Sequence, residues 1–240
     1  GKLLCRAFQL AGTQCLGELA KPNVNVITVE DPVEKNIEGI NQCQVNAKAG
    51  MTFAAALRSI LRQDPDIVMV GEMRDQETAE IAIRAAITGH MVLSTLHTND
   101  AASTITRLVD MGVAPYMVAT SLIGIVAQRL CKVVCNECKT PRMSTPEENE
   151  LLGITESATI YDACGCPKCN NTGYTGRTAI HEILLCTHEM ASLIAADGKV
   201  DAISSLAKEQ GCKLLRDNVA ELVLEGRTTL DELVKLTFAV

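Results

Sequence analysis

Three short stretches put charged groups and an imidazole just past apolar runs. Glu30 and Asp31 follow "VITV", Glu72, Arg74 and Asp75 follow "IVMVG", and His97, Asn99 and Asp100 follow "MVLSTL". A carboxylate in such a place can hold a magnesium-bound water or polarise an attacking water, as phosphoryl transfer requires. Glu72 adds a carboxylate directly after an apolar run, chemistry that suits a metal-bound triphosphate. His97 has the chemistry to touch a phosphate oxygen. Arg74, two residues past Glu72, is the arginine best placed to offer a planar fork to phosphate. Any one of these pairs also reads as a solvated loop; three at equivalent places point to one site.

A second chemistry lies further along. Cys135-Asn-Glu-Cys138 and Cys166-Pro-Lys-Cys169 are two CxxC pairs separated by residues 139–165. Four thiolates suit one tetrahedral zinc, and each pair can chelate the ion from a single turn. The long intervening loop adds little closure entropy. Four thiolates leave no open position for chemistry, so the expected role is structural. Cys131 and Cys164 lie close enough in sequence to compete as ligands, and a set of buried or redox cysteines is the plainer alternative. The isolated cysteines 5, 15, 43, 186 and 212 read as core residues.

These residues need elements to carry them. Val24–Val29, Ile67–Val70 and Met91–Leu96 read as buried strands. Helical periodicity covers Thr52–Arg62 and Thr78–Ile87, the latter stopped by Gly89. Asn99 or Asp100 can cap a helix running to about Met111, and Pro115 starts another expected to reach about Leu130. Strands alternating with helices predict an α/β domain with a largely parallel sheet, in which ligands sit beyond the carboxyl ends of the strands. Residues 131–179 are rich in Cys, Pro, Gly, Asn and Thr. Helical patterns resume from Ile180, at 191–196, 200–207, 214–224 and 229–236. The expected organisation is therefore a core at 1–130, a tetracysteine segment at 131–179 and a helical subdomain at 180–240.

Composition narrows the function classes. A net charge of −7 disfavours nucleic acid as the main partner. Three Tyr, three Phe and no Trp leave few surfaces for stacking bases. Residues 1–20 lack the order of a secretory signal. The apolar stretch 113–127, broken by Pro115, Tyr116, Thr120 and Ser121, is too short and mixed to span a bilayer, so no direct membrane insertion is expected.

At this point the motifs resemble a known family. "ITVEDPVE" (27–34), "LRQDPDIVMVGEMRDQETAEIAIRAAITGH" (61–90) and "LSTLHTNDAASTITRLVDMGV" (93–113) are similar to the Asp box, Walker B and His box of the secretion ATPase superfamily. This family comprises the motors of type II secretion and type IV pilus assembly. "CNEC" and "CPKCNNTGYTGRTAIHEIL" resemble the metal segment of its assembly-type members, which retraction members generally lack. The resemblance implies a RecA-like P-loop NTPase core, ATP and Mg2+ as ligands and zinc in the cysteine segment. It implies a homo-oligomeric, hexameric ring in the cytoplasm. The ring would work on an inner-membrane platform protein and a docking subunit. It suggests that Glu30 activates the attacking water, that Glu72 lies near magnesium and that His97 lies close to the γ-phosphate. Asp31, Arg74 and His90 join these as nucleotide-binding candidates.

One departure is sharp. The family carries GxxGxGK[ST] before the Asp box, and its backbone amides cradle phosphate. No such motif occurs in these 240 residues. Aligning "LGELAKPNVNVITVEDP" with the family places the expected lysine near Phe8, so Gly1-Lys2 is out of register. The first strand and phosphate loop are expected to be missing or degenerate, and this chain alone to hydrolyse ATP poorly or not at all. A non-hydrolysing ring subunit held together by zinc is the alternative reading.

Overall fold

The computed structural model describes residues 2–6 and 16–238. The strands are β1 (Lys2–Arg6), β2 (Val26–Glu30), β3 (Asn41–Gln44), β4 (Ile67–Val70), β5 (Met91–Thr95), β6 (Leu122–Val134), β7 (Thr140–Met143), β8 (Thr159–Asp162) and β9 (Tyr174–Leu185). The helices are α1 (Phe53–Ile60), α2 (Gln76–Ile87), α3 (Ala101–Asp110), α4 (Pro115–Ser121), α5 (Pro146–Leu152), α6 (His188–Ala195), α7 (Val200–Glu209), α8 (Leu215–Leu224) and α9 (Leu230–Phe238). The chain forms two compact units: Gly1–Ala127 with Ile183–Cys212, and Gln128–Glu182 with Lys213–Val240. The boundaries fall inside β6 and β9. The helices after residue 185 are shared, α6 and α7 in the first unit, α8 and α9 in the second.

The first unit is built on a sheet of order β3-β2-β4-β5-β1-β6-β9. The pairs β2–β3, β2–β4, β4–β5, β1–β5 and β1–β6 are all parallel. Every residue of β2 and β4 is buried, as expected of parallel strands covered on both faces. Alternate residues of three adjacent strands, Val26, Ile67 with Met69, and Leu93, meet Leu16 in one core cluster. α1 packs on β2 and β4, and α2 on β5 and β1. The register pairs Val29 with Val70 and Val70 with Ser94, so the carboxyl ends of β2, β4 and β5 lie level.

Side-chain caps fix where the helices begin. Asp75 Oδ1 accepts from the Thr78 amide at 2.8 Å, and Asp100 Oδ1 from the Ser103 amide at 2.7 Å. Each such cap contributes about 1 kcal/mol. Asp75 thus leaves the list of strand-tip acids: its carboxylate is spent on α2.

Three segments differ from the sequence reading. The helix expected from Pro115 to about Leu130 ends at Ser121, and Leu122–Val134 is β6. Its β-branched Ile123, Ile125, Val126, Val133 and Val134 favour a pleated strand, and β1 supplies its parallel partner. The helical pattern read from Ile180 begins too early, because strand β9 runs to Leu185. Its alternating burial from Ile180 to Leu185 is the period of a strand. The third is β1 itself: Lys2–Arg6 is a strand between β5 and β6, so a strand does precede Val26. Its five residues carry charged ends, and its pairing on both sides is not visible locally. Phe8, where the family's lysine would fall, lies outside the described residues.

The second unit holds an antiparallel hairpin, β7 with β8, in which Thr140 pairs with Asp162 and Met143 with Thr159. Arg142 binds both oxygens of Glu148, at 2.6 and 2.7 Å, and Asp162 at 2.9 Å, tying the hairpin to α5. α8 packs on α5, α9 and β8. Among the described residues, no helix is long and apolar enough to cross a membrane.

Candidate active site and metal centre

The level strand ends of the first unit bring Asp31, Glu72, Arg74 and His97 into one charged cluster. Glu72 is its centre. Its side chain is 14% exposed, and its two oxygens take different partners: Arg74 Nε at 2.5 Å on one, His97 Nε2 at 3.0 Å on the other. Arg74 also lies 3.9 Å from Asp31. Its guanidinium pKa is raised by the hydrogen bond and charge of Glu72. The backbone beneath is tightly held. Gly71 donates its amide to Val29 O at 2.7 Å, Met73 donates to Thr95 O at 3.1 Å, and Thr95 Oγ1 donates to Gly71 O at 2.5 Å. His97, with 83% of its side chain exposed, projects outward from this frame.

Glu30 is different. It ends β2 and is fully buried. Oε1 accepts from Thr28 Oγ1 at 2.6 Å and from Gln42 Nε2 at 2.9 Å. Oε2 is buried with no hydrogen-bond partner among the described residues. A buried carboxylate oxygen without a donor carries an unmet desolvation cost, so it has the capacity to accept from a water or ligand brought to it. Hard oxygen donors at Glu72 and Asp31 suit a magnesium ion and its waters. Arg74 and His97 supply the positive groups a polyphosphate needs.

His90 is not brought to this cluster. It precedes Met91 at the amino end of β5, whereas His97 follows the carboxyl end, and the length of the strand separates them. Its Nδ1 lies 3.1 Å from Ala85 O, near the end of α2.

The second unit gathers Cys135, Cys138, Cys166 and Cys169, with all four sulfurs within 4.8 Å of one another. The separations are 3.9 Å for Cys135–Cys166, 3.9 Å for Cys138–Cys169 and 3.8 Å for Cys166–Cys169. A tetrahedral ion with metal–sulfur bonds of about 2.3 Å requires sulfur–sulfur edges of about 3.8 Å. The donor set therefore fits zinc in type, number and spacing. Burial raises the Cys138 thiol, to about 12, with the neighbouring thiols adding to the rise. Burial also pushes Cys169 up, but the Cys166 and Gly173 amides and the adjacent thiols outweigh it and bring it to about 6. Cys131 and Cys164 stand apart: Cys131 contacts Thr228 Oγ1 at 3.2 Å, and exposed Cys164 contacts Thr140 Oγ1 at 2.8 Å.

The sequence reading missed several supporting residues. Thr28 interrupts an aliphatic strand two positions before Glu30, which puts both side chains on one face. That placement was a signal. Gln42 gave none, because β3 was not foreseen. Around the cysteines, Gly165 donates its amide to Cys138 Sγ at 3.2 Å and Gly173 donates to Cys169 Sγ at 3.3 Å. Both have left-handed φ, +105° and +77°, and a Cβ on either would fall within 3.0 Å of a neighbour. Only glycine lets the backbone approach the sulfurs this way.

Comparison with known proteins now places the chain. A family model described as "Type II/IV secretion system protein" matches residues 11–235. The type IV pilus assembly ATPase PilB of Thermus thermophilus is 50% identical over 226 residues, covering 92% of this chain and 25% of that protein. The type II secretion system protein E of Pseudomonas aeruginosa is 50% identical over 215 residues, covering 89% of this chain and 43% of that protein. This chain therefore spans between a quarter and about half the length of these relatives. Its fold matches a crystal structure of the pilus retraction motor PilT with bound ADP, at a TM-score of 0.74 and 26% identity, over 98% of this chain and 61% of that one. The parallel α/β sheet, the strand-end motifs and the match along almost the whole length make this chain a member of the type II/IV secretion system protein family.

Proposed function

We propose that this chain is the ATP-hydrolysing part of a cytoplasmic motor that drives assembly of a type IV pilus or a type II secretion pseudopilus. The observation that carries this reading is the convergence of Glu30, Asp31, Glu72, Arg74 and His97 at the level ends of three parallel strands. In this reading Mg2+, when bound with ATP, neutralises the developing phosphate charge. Glu72 and Asp31 would hold the ion through its waters, and Arg74 and His97 would face the phosphates. Glu30 would take the proton from the attacking water. The tetracysteine cluster holds zinc as a structural brace. The motor works as a hexameric ring against an inner-membrane platform protein and a cytoplasmic docking subunit.

A second reading has its own observation. The 240 residues contain no GxxGxGK[ST], which favours a ring subunit that does not hydrolyse ATP. Mg-ATP binding and turnover by the purified chain, in wild type and Glu30→Gln, separate the two. Slow turnover lost in Glu30→Gln supports the motor reading. Nucleotide bound without turnover withdraws this support and favours the non-hydrolysing subunit, and no Mg-nucleotide binding contradicts both.

A further inference from the structure

We propose that Thr28 and Gln42 are positioning residues, which commit one oxygen of Glu30 to the fold and reserve the other for the reacting water. This rests on the reading of Glu30 as the water-activating carboxylate and adds how that carboxylate is aimed.

The geometry is asymmetric. Both donors, Thr28 Oγ1 and Gln42 Nε2, meet the same oxygen, Oε1. Oε2 is equally buried and meets none among the described residues. A buried carboxylate whose only task were structural would share its donors between its oxygens, because each unpartnered oxygen costs desolvation energy. Two donors on one oxygen fix the plane of the group and leave the other oxygen with its lone pairs uncommitted, able to accept a proton. General-base catalysis depends on that geometry first.

Gln42 adds a second link. Its Nε2 also donates to Lys35 O at 3.0 Å, and its Oε1 accepts from the Ile37 amide at 2.8 Å. With three partners, its amide orientation is determined: turning it over would lose all three bonds. The side chain on edge strand β3 thereby joins the loop that follows Glu30 to the carboxylate itself. Asp31, at the start of that loop, lies within ion-pair distance of Arg74. A shift of the loop reaches Glu30 through Gln42, so carboxylate aim and loop position are set together.

High-resolution crystal structures of the 240-residue chain test this, comparing wild type with Thr28→Val/Gln42→Leu. Wild type is expected to show one ordered water within hydrogen-bond distance of Oε2. In the double variant the carboxylate turns and water reaches both oxygens. An unchanged carboxylate in the double variant, or a protein donor on Oε2 in wild type, would overturn the proposal. If the double variant does not fold, the near-isosteric Thr28→Val alone is read in the same way. Turnover supplies the second readout. Thr28→Val lowers kcat by at least about tenfold with KM held within about twofold, and Thr28→Ser restores it. If the carboxylate turns as described yet Glu30→Gln hydrolyses ATP like wild type, positioning stands and the water-activating role fails.

Discussion

The strand-end cluster and the tetracysteine cluster are held by opposite means. At the strand ends, residues 30, 31, 72, 74 and 97 come from three separate parallel strands, and backbone register makes them neighbours. Asp31, Arg74 and His97 are exposed and gather around the mostly buried Glu72, and fully buried Glu30 keeps one oxygen without a partner among the described residues. Around the cysteines, two short turns supply a complete donor set, with amides already aimed at the sulfurs. The first arrangement leaves Asp31, Arg74 and His97 exposed above a firmly held backbone. The second is closed. It can brace its unit but has no free position for substrate.

That contrast predicts where substitutions hurt. The largest stability effect belongs to the closed site. Cys166→Ser is expected to lose stoichiometric zinc, measured by elemental analysis, and to lower the melting temperature of the second unit. Full zinc occupancy in that variant would break the assignment of four cysteines as one ligand set. Gly173→Ala comes next. A Cβ there would meet Ala163 Cβ at 2.7 Å and disturb the amide on Cys169, so zinc affinity should fall about 10- to 100-fold in a competition titration.

Acid should release the same metal. Ligation needs thiolates, so protons compete with zinc. Cys169 ionises at about 6 and holds its charge above that, whereas Cys138, raised to about 12, must give up a proton when the ion binds. Zinc binding near neutral pH therefore liberates protons, and the metal's contribution to stability is lost as pH falls. Zinc release followed with a chromogenic chelator should rise on acidification; release independent of pH would contradict thiolate ligation.

Smaller effects are expected at the strand ends. Asp75→Ala removes the cap of α2 and should cost about 1 kcal/mol in a denaturant titration, with an unchanged slope. Arg74→Ala should shift stability by less than about 1 kcal/mol, because the guanidinium is largely exposed and Glu72 keeps its contact with His97. A large loss there would mean that the cluster is a structural brace after all.

The two regions were also unequally legible in the sequence. Cysteine spacing is local chemistry, and each CxxC pair marks a turn without knowledge of the fold. The strand-end acids were legible as well, since apolar runs announce β2, β4 and β5. What stayed hidden was long-range. β1 and β6 define each other by pairing, so "LIGIVAQRL" (122–130) reads alone as the continuation of a helix. Gln42 sits on a short, half-exposed edge strand whose polar sequence carries no strand pattern, and its bond to Glu30 exists only once β3 lies beside β2. His90 shows the converse. It lies seven residues from His97 and within the same motif, yet β5 carries the two to opposite ends.

The most direct test of the account is an NMR titration of the 240-residue chain with Mg-ATP. Amides of residues 71–75 and 96–100 should shift together, and Glu72→Gln should weaken that response while leaving the cysteine turns untouched. Saturating Mg-ATP that leaves those amides unmoved, or shifts only residues elsewhere, would contradict the assignment of the strand ends as the nucleotide site.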